Sequence, residues 1–178
     1  MISLGSNCSI TYQLNKYNKR EKAYPFDWCK ISMNQLLKVL ENNFSNYIDS
    51  LEIKKYSENH NSFIITNSYN IQYAHEVIIN NIDDFKFSLS NRIKRFNNLD
   101  NITFIRIEIE PINENYINKI ERLIVLLKNY VNNFTIKLIL RNKIDFNNDL
   151  FFNIVKIYYY NDYIDWQMNN IDWNNILL

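Results

Sequence analysis

Short apolar runs alternate along the chain with stretches in which apolar residues recur at helical spacing. A first strand is predicted at residues 2–4, and a helix follows it over residues 8–17. Further β-rich runs cover residues 102–110, 134–140 and 153–160. This order predicts an α/β protein, built as a three-layer sandwich with a mostly parallel central sheet flanked by helices.

The first half of the chain carries its own start and turn signals. Ser32, followed three residues later by Gln35, forms a capping box that predicts a helix start. Residues 62–75 have the composition of a hairpin or of two short strands around an Asn-Ser pair. Because no linker or internal repeat divides the sequence, we expect residues 1–178 to form a single domain.

The composition is skewed toward residues with A/T-rich codons, with 32 asparagines against two alanines and one glycine. The asparagines are scattered among periodic apolar positions. We therefore attribute the skew to coding bias in an A/T-rich viral, parasite or bacterial genome, and not to an Asn-rich low-complexity segment. Glycine fits where a backbone tolerates no side chain, so the single glycine, Gly5, is predicted to occupy such a position.

Charge and hydropathy exclude several classes of protein. The formal net charge is +1, so the whole molecule has no strong attraction to nucleic acid or to anionic membranes. No apolar run reaches the ~18 residues that span a bilayer, and the N-terminus does not have the pattern of a signal peptide. Two cysteines without CxxC spacing indicate neither a disulfide framework nor a zinc site.

From these exclusions we expect a cytoplasmic protein, located in the host cytoplasm if the chain is viral. We expect no metal, no cofactor, no membrane span and no nucleic-acid partner. The partner is then an unknown protein or small-molecule substrate.

The first predicted strand-to-helix turn is the strongest candidate for chemistry. Ligands of a parallel sheet bind beyond the carboxyl ends of its strands, and LGSNC, residues 4–8, lies at such an end. The N-terminus of the following helix favours a thiolate at Cys8. We assign Gly5, Ser6 and Asn7 to the oxyanion hole or to the lining of the site. The alternative is that Cys8 is a small residue packed at a helix start.

A nucleophilic cysteine needs a nearby base, which is usually a histidine. His60 lies in a polar run, so His75, which follows a predicted strand, is the better candidate. Asp27 could orient this histidine or cap a helix, and Asp172 is a second candidate for the third catalytic residue. Arg106 is a candidate site-lining residue, with a surface charge as the alternative.

These segments resemble the DUF1796 family, whose uncharacterised bacterial and viral members are described as papain-like cysteine peptidases. The resemblance is carried by LGSNC at 4–8, YPFDW at 24–28, His75 with the acidic residue after it, and the basic stretch 92–96. The tryptophan-rich end, residues 166–173, is also similar. The resemblance implies that the cysteine of the first motif is the nucleophile and His75 its base.

Two other functions stay open. A Gly-Ser turn after a first strand is also similar to SGNH-type esterases, in which Ser6 would be the nucleophile. Those enzymes carry a late Asp-x-x-His, whereas this chain has no histidine after His75. A non-catalytic binding or interaction module is the other alternative. In addition, papain-like folds place the cysteine helix against an antiparallel half, which does not match a mostly parallel sheet.

Overall fold

The computed structural model describes residues 1–57, 62–75, 82–109, 112–113, 115–143, 153–162 and 165–178. The helices of this part of the chain are α1 (Ser9–Lys16), α2 (Met33–Glu41), α3 (Ile82–Phe96), α4 (Tyr116–Leu127) and α5 (Trp173–Leu177). Its strands are β1 (Ile2–Ser3), β2 (Cys29–Lys30), β3 (Glu52–Ser57), β4 (Ser62–Thr66), β5 (Gln72–Tyr73), β6 (Ile102–Ile107), β7 (Phe134–Leu140) and β8 (Val155–Tyr159).

One sheet is parallel throughout, with the strand order β1-β6-β7-β8. Helices α1, α2 and α3 lie between β1 and β6 along the chain, and α4 lies between β6 and β7, as the alternation of patterns predicts. Strands β6 and β7 lie in the middle of this sheet, and their fully buried residues include Ile105, Ile107 and Ile139. Consecutive buried residues of this kind are typical of strands covered on both faces. The parallel sheet predicted from the sequence is therefore confirmed.

A second sheet is antiparallel, with the order β2-β5-β4-β3. Strands β4 and β5 confirm the predicted pair of strands in residues 62–75, joined by a turn in which Asn70 N–H donates to Asn67 O at 2.8 Å. The prediction of one central sheet was incomplete, and the three-layer arrangement is not confirmed. Strands β2 and β5 are only two residues long, too short to produce a periodic pattern.

The two sheets share one apolar core. Leu4 and Phe104 belong to it from the parallel side, and Cys29, Ile65 and Tyr73 from the antiparallel side. All five are fully buried. The turn after β1 is therefore packed directly against the second sheet.

Helix starts follow the sequence signals in part. The capping box is confirmed, because Gln35 N–H donates to Ser32 Oγ at 3.3 Å and Ser32 N–H donates to Gln35 Oε1 at 2.7 Å. The last helix, α5, begins at Trp173, after turns. Among the described residues, no helix is both long enough and apolar enough to cross a membrane.

Asparagine supplies much of the left-handed backbone in this nearly glycine-free chain. Asparagine tolerates positive φ better than most residues. The described positions with positive φ are Gly5, Ser6, Asn18, Trp28, Asn43, Phe44, Asn46, Asn70, Asn101 and Met168.

Candidate active site

Gly5 makes the turn that ends β1. Its φ is +76°, and a Cβ atom built there would lie 2.1 Å from Ile31 Cγ2. Its N–H donates to Ser3 Oγ at 3.1 Å. The prediction that no side chain fits at the single glycine is therefore confirmed, for reasons of both conformation and space.

Cys8 directly precedes Ser9, the first residue of α1, and so lies at the helix N-terminus, where the sequence predicts it. Its backbone is helical, with φ −76° and ψ −12°, and its carbonyl accepts from Tyr12 N–H at 3.0 Å. Asn7 caps the helix in its place, because Asn7 Oδ1 accepts from Ser9 N–H at 3.1 Å. The Cys8 side chain is half-buried, and neither cysteine is in a disulfide. The partial positive charge of a helix N-terminus favours the thiolate at this position.

His75 follows β5, and two tryptophans flank its ring. The imidazole stacks on Trp166 at an interplanar angle of 28°, with the ring centroids 5.7 Å apart. Trp28 lies on it at a tilt of 55°, also at 5.7 Å. Trp166 in turn contacts Tyr12 of α1 edge to face at 5.2 Å. The indoles therefore fix the plane of the imidazole between α1 and the antiparallel sheet.

A cleft of about 1330 Å³ brings these elements together. Its volume exceeds the ~1,000 Å³ of a large drug-sized pocket, so it has room for an extended ligand. Cys8 and His75 both line it, and Glu108 lies at the end of β6. The lining residues are Ser6, Asn7, Cys8, Lys30, Ile31, Ser32, Met33, Asn34, Gln35, Ile64, Asn70, Gln72, Ala74, His75, Glu108, Ile109, Ile112, Asn113, Tyr116, Lys119 and Trp166.

Arg106 lies behind this lining and is fully buried. Its Nη1 donates to Leu4 O at 2.9 Å and its Nη2 to Ile31 O at 3.2 Å. Its Nε donates to Glu108 Oε1 at 2.5 Å. Burial by itself lowers the pKa of the guanidinium, but Glu108 and Tyr116 raise it more, so that the net shift is upward. Arg106 thus ties the turn after β1 to the segment after β2.

The two candidate aspartates accept hydrogen bonds from groups outside the cleft. Asp27 is buried, and its carboxylate accepts from Arg20 Nε at 2.9 Å, Tyr24 N–H at 2.9 Å and Thr11 Oγ1 at 3.4 Å. Burial raises the pKa of Asp27, and Arg20 opposes this shift. Asp172 caps α5, because its carboxylate accepts a hydrogen bond from the backbone N–H of Asn175. Among the described residues, neither aspartate lines the cleft.

The remaining sequence candidates are placed as follows. Cys29 is fully buried, and its thiol donates to Phe26 O at 3.2 Å. His60 and the acidic residue after His75 lie outside the described residues. Within the described part of the chain, no group of His, Cys, Asp or Glu side chains is arranged to hold a metal ion.

Sequence reasoning missed the partners of the candidate residues. It singled out Trp28 and Trp166 as parts of motifs but gave no reason to place either against His75, because that contact joins distant parts of the chain. For Glu108, the sequence offered only a weak indication of a role in the site, namely that it shares a strand face with Arg106. Tyr116, which donates to Glu108 at 2.7 Å, carried none.

The sequence is similar to a known protein family and to one viral protein. A family model with the description "Putative papain-like cysteine peptidase (DUF1796)" matches residues 1–144. An uncharacterised protein of Acanthamoeba polyphaga mimivirus is 30% identical over 220 residues, covering 99% of this chain and 96% of that protein. No solved structure matches the chain. The cleft residues up to Lys119 lie within the matched region, whereas Trp166 lies beyond it.

Proposed function

Because the chain belongs to the DUF1796 family, described as papain-like cysteine peptidases, we propose that it is a cysteine hydrolase of the peptidase type. Cys8 is the nucleophile and His75 its general base. The observation that carries this proposal is that both side chains line one cleft, one from the N-terminus of α1 and the other from the segment after β5.

The reaction proceeds by acyl transfer. His75 accepts the thiol proton of Cys8 while Sγ attacks the carbonyl carbon of the scissile bond, and the carbonyl π electrons move onto oxygen. When the carbonyl forms again, the bond to the leaving group breaks and His75 returns the proton to that group. Water, deprotonated by His75, then attacks the acyl-enzyme, releases the carboxylic acid and restores the thiol.

The turn before α1 is the proposed oxyanion hole. Asn7 lines the cleft, and its Oδ1 is bound to Ser9 N–H. This bond sets the orientation of the amide and leaves the Nδ2 donors of Asn7 for a ligand. The backbone of Gly5 and Ser6 passes along the same turn. Preorganised N–H donors of this kind stabilise the negative oxygen of a tetrahedral intermediate.

Asp27 has a positioning role in this proposal. It accepts from Thr11 Oγ1, which itself accepts from Trp28 N–H at 3.3 Å. Trp28 has a positive φ of 56°, a conformation that needs support from its surroundings. Through Thr11, Asp27 therefore holds Trp28 against the ring of His75.

Thiol reactivity tests the nucleophile. We expect iodoacetamide to alkylate Cys8 of the native protein at pH 7 about tenfold faster than the same cysteine in the urea-unfolded chain, because the site favours the thiolate. The replacement His75→Gln should remove most of that advantage. Intact-mass and peptide mass spectrometry would give the two rates. A native rate that is no faster, and that His75→Gln leaves unchanged, would contradict the proposal.

A fluorophosphonate probe distinguishes the serine alternative, which Ser6 keeps open because it lines the same cleft. Labelling that is lost in Ser6→Ala and kept in Cys8→Ala would identify Ser6 as the nucleophile. If this probe does not label the protein and Cys8 shows no enhanced alkylation, the chain is a binding module.

A further inference from the structure

One oxygen of Glu108 is open to the cleft, while the other is held by two donors. Oε1 accepts from Arg106 Nε at 2.5 Å and from Tyr116 O–H at 2.7 Å. Oε2 accepts no hydrogen bond from any residue that the structure describes. It is also not buried, because it is absent from the buried side-chain atoms that lack a partner. Since Glu108 lines the cleft, Oε2 is accessible from it.

Glu108 is paired with a buried guanidinium. Arg106 is fully buried and permanently protonated, and its other two bonds go to the neutral carbonyls of Leu4 and Ile31. Glu108 is the carboxylate that pairs with it. A carboxylate oxygen in such an ion pair can only accept hydrogen bonds.

We propose that Glu108 is a specificity-determining residue whose Oε2 binds an amide N–H of the substrate. A neutral donor suits this oxygen better than a cation, because Arg106 already balances the charge and both Lys30 and Lys119 line the same cleft. The substrate class is then a peptide with at least one free backbone N–H beside the scissile bond. This inference rests on the proposed function, since it names the substrate of the same cleft.

The same guanidinium fixes Glu108 relative to the nucleophile. Arg106 binds Glu108 through Nε and the carbonyl of Leu4 through Nη1, and Leu4 directly precedes the turn that leads to Cys8. A substrate N–H bound at Oε2 is therefore held at a constant position relative to the thiol. Such fixed placement is what orients a substrate for attack.

The test uses acetyl-Ala-Ala-Ala chloromethyl ketone, from which a thiolate displaces chloride to form a thioether. Its relatives carry a methyl group on one backbone nitrogen at a time, so that each lacks one N–H. We expect one of these relatives to inactivate wild-type protein with an efficiency at least about tenfold lower than that of the parent. This is the penalty for losing a hydrogen bond to a charged group. Mass spectrometry of Cys8 gives the rate and the half-saturating concentration.

Glu108→Gln is the decisive variant. Arg106 Nε and Tyr116 O–H select the amide oxygen of the new side chain, so its NH₂ group faces the cleft and a donor replaces an acceptor. The N-methyl penalty should then disappear. In Tyr116→Phe, which removes a donor to Oε1 only, the penalty should persist. An equal penalty in wild type and Glu108→Gln, or no penalty in either, overturns the inference and leaves the nucleophile unaffected.

Absence of any labelling of wild-type Cys8 by the parent probe would count against the proposed function. Glu108 is then tested separately by calorimetric titration of the Cys8→Ala protein with acetyl-Ala-Ala-Ala-amide and its N-methyl relatives. Weaker binding of one N-methyl peptide, again lost in the Glu108→Gln background, supports the inference. Equal binding of all peptides, or no binding, overturns it.

Discussion

At residue 5, two separate constraints act on one backbone position. The φ of +76° disfavours any side chain, and the methyl group of an alanine would overlap Ile31 Cγ2. We expect Gly5→Ala to lower the free energy of unfolding by about 2–5 kcal/mol, from left-handed strain and overpacking together. Urea unfolding followed by circular dichroism would measure it. An unchanged midpoint would contradict this account of the turn.

Ser6 provides a matched control in the next position. Its φ is +87°, which glycine adopts without strain. We expect Ser6→Gly to be neutral or to stabilise the fold by up to ~1 kcal/mol, as measured by the same urea unfolding. A loss of stability comparable to that of Gly5→Ala would contradict this account.

The sequence predicted single residues well where one local rule decides the outcome. Gly5 was identifiable because only glycine combines positive φ with the absence of a side chain, and Cys8 because helix starts have recognisable neighbours. The partners of Arg106 were not identifiable. They lie on the turn after β1 and on the segment after β2, and no local pattern brings these segments together.

Among the elements, the C-terminal segment has two tryptophans in different environments. Trp173 of α5 is buried, and its Nε1–H donates to Met168 O at 2.7 Å. Trp166 is 43% exposed and stacks on His75. We expect Trp173→Ala to cost about 3–5 kcal/mol of stability and Trp166→Ala only about 1 kcal/mol.

The alkylation rate separates the two roles. Trp166→Ala should slow the reaction of Cys8 with iodoacetamide, because His75 loses one of its flanking rings, although the protein remains folded. Urea unfolding and alkylation of the same samples check both effects. A Trp166→Ala protein with an unchanged alkylation rate would show that Trp166 only covers the surface.

Element prediction failed where strands are short or polar. The long strands β6 and β7 are mostly apolar and were predicted with nearly correct bounds. Strand β3 has the sequence EIKKYS and lies at the edge of its sheet, where charged residues are common. It therefore lacks the apolar alternation by which a strand is recognised, and the second sheet was missed as a unit.

At the scale of the whole molecule, the second sheet changes the comparison with papain-like folds. The parallel pattern did not match an arrangement in which the cysteine helix faces an antiparallel half. In the structure, Cys8 lies at the start of α1, and His75, which follows β5 of the antiparallel sheet, lines the same cleft. The cleft therefore lies between the carboxyl end of β1 and β6 and the antiparallel sheet.

Arg106 connects these two parts of the molecule, and its pairing with Glu108 should be measurable as a coupling energy. Arg106→Met should cost about 3–5 kcal/mol, because it leaves the Glu108 carboxylate unpaired. The double variant Arg106→Met/Glu108→Leu should cost less than the two single variants together, with a coupling of about 1–3 kcal/mol. The unfolding free energies of the wild type, the two single variants and the double variant give this coupling energy. Additive costs would show that the pair does not act as a unit.

The left-handed asparagines also affect the unfolded chain. Glycine has more backbone freedom before folding than any other residue and so loses the most on becoming ordered. A turn formed by Asn43 or Asn70 begins from a narrower set of conformations, and ordering it costs less entropy. This saving offsets part of the steric strain of positive φ. The chain keeps the full entropic cost of glycine at one turn, the turn that leads to Cys8.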